Sequence, residues 1–81
     1  MNEKSLAQVF GIVVRKIRSE AGLSQEEFAV QCQLHRTYIG SIERGEKNVT
    51  LETATKIATA LKIKLSYLIS YVEEEREKLQ G

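Results

Sequence analysis

Eighty-one residues, with no proline, five glycines and 42% apolar residues, describe one small domain spanning 1–81, suited to compact helices without long irregular loops. One cysteine excludes an internal disulfide, no Cys/His cluster has metal spacing, and no apolar run approaches the roughly 20 residues that cross a bilayer. Twelve Lys/Arg against eleven Asp/Glu leave a net charge of +1, which argues against a strongly basic nucleic-acid binder and makes any basic patch a matter of local arrangement. The opening MNEKSLAQVF lacks the apolar core of a signal peptide, so a cytoplasmic protein is expected, with no membrane partner and no cofactor.

Apolar residues recur at helical spacing throughout, and an all-α fold of five helices follows. The first helix runs from about Ser5 to Ala21, with Leu6, Phe10, Val13, Val14 and Ile17 as its inward stripe. Gly22 can take the positive φ that ends it. Ser24 and Glu27 have the spacing of a reciprocal cap for a second helix ending near Cys32, with Phe28 and Ala29 inward. The gap before the third helix is too short for anything but a tight turn. That helix spans about Arg36 to Arg44, with His35 at or near its N-cap and Gly45 as terminator. Thr50 caps a fourth, with Leu51, Ala54, Ile57, Ala58 and Leu61 inward. After a break at 62–64, a fifth helix starts near Leu65, and the charged tail EEEREKLQG is expected to fray.

The distinctive unit is two helices joined by a very short turn, over residues 24–44. Such helices cross steeply, so that one lies over a phosphate backbone while the other enters a major groove. Ile39 and Ile42 form an apolar back for the third helix, and Arg36, Thr37 and Ser41 form a hydrogen-bonding front. Arg36 is the first candidate for a base contact, since a guanidinium can donate two parallel bonds to guanine. A phosphate contact or a solvated charge is the plainer alternative. Thr37 and Ser41 are shorter candidates. Tyr38 is assigned a phosphate contact, against a ring packed on the second helix. Gln25 opens that helix, where unpaired N–H groups suit a phosphate. Lys47 and Asn48 are placed to clamp the backbone, and His35 to cap or touch phosphate. No acid/base constellation or Gly-rich phosphate loop is present, so an enzyme is not expected. Gly40 either permits close approach to the sugar-phosphate backbone or is merely tolerated.

The stretch LSQEEFAVQCQLHRTYIGSIERGEKNVTLETATKIATAL resembles the helix-turn-helix regulators of the phage-repressor and Xre type. HRTYIGSIERGEKN, within a chain of this size, is similar to the controller proteins of restriction–modification systems. That resemblance implies a five-helix lambda-repressor-like fold and a homodimeric, sequence-specific transcription regulator on a palindromic operator, acting as activator, repressor or both on restriction–modification genes. It also implies an ion pair between Arg18 and Glu43. Double-stranded DNA and a second copy are the expected partners. RNA polymerase is a further one, with Glu43, Arg44 and Glu46 as rim contacts. The fifth helix, over about 65–76, carries the expected dimer interface of Leu65, Leu68, Ile69 and Val72, some of which must also finish the core; the plainer alternative is that all four pack internally. The competing reading is an antitoxin-like module that masks a partner protein.

Overall fold

The computed structural model describes residues 4–80, which form five helices: α1 (Leu6–Glu20), α2 (Gln25–Cys32), α3 (Arg36–Glu43), α4 (Leu51–Ala60) and α5 (Leu65–Gln80). Each of the first four starts at a side chain that accepts a hydrogen bond from a backbone N–H of the first turn: Ser5, Ser24, His35 and Thr50. At Ser5 and Ser24 the cap is reciprocal, because the Gln8 and Glu27 side chains accept from the serines' own N–H groups. The hydrogen bonds from Ser24 hold the Glu27 carboxyl below its ordinary pKa.

The same four helices end alike. Gly22, Gln33, Gly45 and Lys62 all have positive φ. The next residue then donates its N–H to the carbonyl five residues back, as Leu23 does to Arg18 and Ile63 to Ala58. This geometry turns Leu23, Leu34 and Ile63 onto the core. Lys62 holds a φ of 61° that disfavours a Cβ. Such a conformation costs a non-glycine residue about 1–2 kcal/mol, more than the roughly 0.5–1 kcal/mol of extra chain entropy that glycine loses. Lys62→Gly is therefore expected to raise the urea midpoint modestly with an unchanged m-value.

The core is built from Val9, Phe10, Val13 and Val14 of α1, Phe28, Ala29 and Cys32 of α2, Ile39 and Ile42 of α3, Ala54, Ile57 and Ala58 of α4, and Leu68 and Val72 of α5. In α1 and α4 the helix-terminal leucines fall outside it. Leu6 is 58% exposed and Val9 takes the inward place, while Leu51 is 76% exposed at the first position of α4. Ile17 and Leu61 are only partly buried. Helix α5 takes in the charged tail as far as Gln80, and Lys78 in its last turn suits the helix dipole.

The expected dimer interface needs the largest correction. Leu68 is 0% exposed and Val72 3%, because α5 packs on α1 and α4 and these two side chains close that seam. Leu65 is partly buried against the same core. Of the four, only Ile69 is exposed. Leu68→Asp would thus unfold the chain and report nothing about assembly.

Candidate nucleic-acid interface

Helix α3 is amphipathic in the sense its sequence requires. Ile39 and Ile42 are fully buried behind it. Arg36 and Thr37 are exposed at its first turn, and Ser41 is half-buried one turn later. His35 caps the helix through Nδ1, which accepts from the Thr37 N–H at 3.1 Å. In the neutral ring the proton then sits on Nε2, leaving that nitrogen as a donor for a phosphate oxygen. The Ser41 hydroxyl donates to the Thr37 carbonyl at 3.1 Å, so its oxygen is left as an acceptor. Arg36 faces Glu26 of α2, with Nη1 3.6 Å from Oε1, and both side chains are largely exposed. Such a pair is worth about 0–1 kcal/mol and yields readily to a better partner. Tyr38 is half-buried, with its ring packed against the core. Lys47 and Asn48 are exposed in the loop after α3.

What fixes α3 in place is a network at its far end. The Arg18 Nε donates to Glu43 Oε2 at 2.6 Å and Nη2 donates to Oε1 at 3.1 Å. Arg18 Nη1 donates to the Leu23 carbonyl at 2.7 Å. The Gln25 Nε2 donates to Glu43 Oε1 at 3.0 Å. The Glu43 carboxylate therefore ties the end of α3 to the end of α1 and the start of α2, and Arg18 adds the turn before α2. The Arg18 and Glu43 side chains are only 11% and 3% exposed. Two expectations change. Glu43 is buried and is no rim contact for a polymerase. The Gln25 amide nitrogen is engaged within the protein and the Glu27 N–H is capped by Ser24, so only the Gln25 side-chain oxygen and the N–H groups of Gln25 and Glu26 remain for a ligand.

Two features escaped the sequence. Gly11 lies where α1 crosses α3, and a Cβ there would collide with the Ile42 carbonyl oxygen and come within 2.7 Å of that of Glu43. A lone glycine inside an apolar helical stripe was the available signal. The other is the pairing of Arg44 with Glu46: Nε and Nη2 of the arginine donate to the two Glu46 carboxylate oxygens at 2.9 and 3.3 Å. These bonds hold the Glu46 carboxyl below its ordinary pKa. Burial pushes the Cys32 thiol up to about 11, which leaves it an inert packing group. Among the described residues no His/Cys/Asp/Glu group could hold a metal, and no helix is long and apolar enough to cross a membrane.

A helix-turn-helix family model matches residues 14–68. The chain is 47% identical over 64 residues to control protein C.BamHI of Bacillus amyloliquefaciens, covering 78% of this chain and 79% of that protein. It is 49% identical over 67 residues to control protein C.MunI of a Mycoplasma species, covering 82% and 90%. Among solved structures, the restriction–modification controller protein C.Esp1396I, captured as a tetramer on its natural 35 base-pair operator, superposes with a TM-score of 0.83 at 32% identity. That superposition covers 91% of this chain and 97% of the other.

Proposed function

We propose, for a chain that belongs to the helix-turn-helix family of DNA-binding transcription regulators, that it works as a homodimer on an inverted-repeat operator and controls restriction and modification genes. The observation that carries this reading is the outward side of α3. Arg36 and Thr37 are exposed to solvent at the N-terminal end of a helix whose far end is locked by Glu43. Readers of this type touch bases with those first residues. Arg36 leaves Glu26 for the guanine edge, Thr37 and Ser41 contact neighbouring bases, and His35, Tyr38, Lys47 and Asn48 contact phosphates. Regulation is positional: the bound dimer either covers a promoter or recruits polymerase from beside it.

For the second copy, the buried pair on α5 is replaced by a different surface. Leu6, Leu51 and Ile69 are exposed and line one groove of about 330 Å³ between α1, the loop before α4, and α5. Exposed apolar surface of this kind marks a partner site. A dimer on an inverted repeat needs its two α3 helices about one DNA turn, roughly 34 Å, apart. Sedimentation should show a dimer that Leu51→Glu and Ile69→Glu convert to a folded monomer. A dimer unchanged in both variants removes this interface.

Selection from random duplexes tests the reading itself. The chain should recover an inverted repeat. Arg36→Ala should relax preference at one base pair per half-site, with a discrimination loss of about 1–3 kcal/mol. Lys47→Ala should weaken every duplex alike and reduce the salt slope by about 1. Equal loss on all sequences for Arg36→Ala would make it a backbone contact.

A further inference from the structure

Arg44 ends α3 with its guanidinium folded back along the helix. Two of its nitrogens hold Glu46, and the third, Nη1, lies over Gly40 one turn earlier: a Cβ at Gly40 would sit 3.1 Å from Nη1. The same Cβ would be 3.8 Å from the Gln25 side-chain oxygen. The absence of a side chain at position 40 therefore leaves room for the guanidinium to rest beside the start of α2. The Arg44 guanidinium and the uncapped N–H groups of Gln25 and Glu26 suit the same kind of ligand, an oxyanion. Both members of the Arg44–Glu46 pair are more than half exposed. The loop that follows brings Lys47 and Asn48.

Resting on the duplex-binding reading above, we propose that Glu46 and a DNA phosphate compete for Arg44, so that Glu46 moderates how tightly the chain holds any duplex. A phosphate offers a guanidinium the same two-oxygen geometry as a carboxylate. A neighbouring polyanion also repels Glu46 from the side on which Arg44 remains. Free protein then keeps its guanidinium neutralised, and bound protein exchanges carboxylate for phosphate. This assigns Gly40 a role as well: it leaves space for the exchange.

Affinity for sheared double-stranded DNA of mixed sequence, measured against salt for the full chain, provides the test. Arg44→Ala should weaken binding to all sequences and lower the magnitude of the salt slope by about 0.9. Glu46→Gln should strengthen binding about two- to fivefold, the most an exposed pair of this kind can withhold. Most of that gain should vanish when Glu46→Gln is made in the Arg44→Ala background. An equal gain in both backgrounds, or none in either, overturns the competition while leaving duplex binding intact. If the unaltered chain binds no duplex at any salt concentration, the DNA-binding reading fails with it. Circular dichroism of each variant separates these outcomes from misfolding, since both side chains are exposed.

Discussion

Replacing Glu43 with alanine is expected to cost about 3–5 kcal/mol of folding stability, most of what a domain of this size holds. The substitution strips Arg18, whose side chain is only 11% exposed, of its partner. It also leaves the Gln25 amide without its acceptor. An unpaired buried charge is worse than no charge, because desolvation is then opposed by nothing. The same logic predicts that Arg18→Met combined with Glu43→Leu costs less than the sum of the two single changes, since the double variant buries no lone ion. Urea unfolding of the three variants measures this. Additive losses would mean that the carboxylate and guanidinium act independently, contrary to their two-point contact.

Gly11→Ala is expected to lower stability by about 2 kcal/mol and the melting temperature by roughly 10 °C. Elsewhere in a helix, glycine to alanine is favourable by about 0.5–1 kcal/mol. Here the added methyl meets the backbone carbonyls of Ile42 and Glu43, which belong to another helix and cannot rotate away. Relief requires the end of α3 to retreat from α1, against the Arg18–Glu43 bonds that hold it there. The retreat also displaces Gly45, which already lies against Gln8 of α1. Calorimetry provides the first readout. Affinity for the selected operator is the second, and it should fall beyond what the unfolded fraction explains, because the reading helix itself is moved.

The sequence made local features legible. Ser24 with Glu27, Thr50 before α4, and Gly22 and Gly45 after their helices are all short-range devices, and all four take the expected form. The helix-turn-helix at Gln25–Cys32 and Arg36–Glu43 was equally plain, since Ile39 and Ile42 face opposite to Arg36 and Thr37. Depth was harder to read. Periodicity names the apolar face of α5 but not how far another helix covers it, so Leu68 and Val72 read like surface until α1 and α4 are seen to bury them. Leu51 errs in the other direction because a first-turn residue can carry the right phase and still project past its neighbours. The left-handed turns at Gln33 and Lys62 carry no glycine to announce them. The joining of Gln25 to Glu43, and the close passage of Gly11 beneath α3, connect residues far apart in sequence, and no spacing rule contains them.

An amide chemical-shift titration of the isotope-labelled chain with the duplex most enriched in selection probes the DNA-facing surface residue by residue. The perturbed amides should gather at the start of α2, along 35–41, and over 44–48, while those of α5 between Tyr71 and Lys78 stay still. Perturbations gathered on that part of α5, with Arg36, Thr37 and Ser41 unmoved, would contradict the placing of DNA against α3.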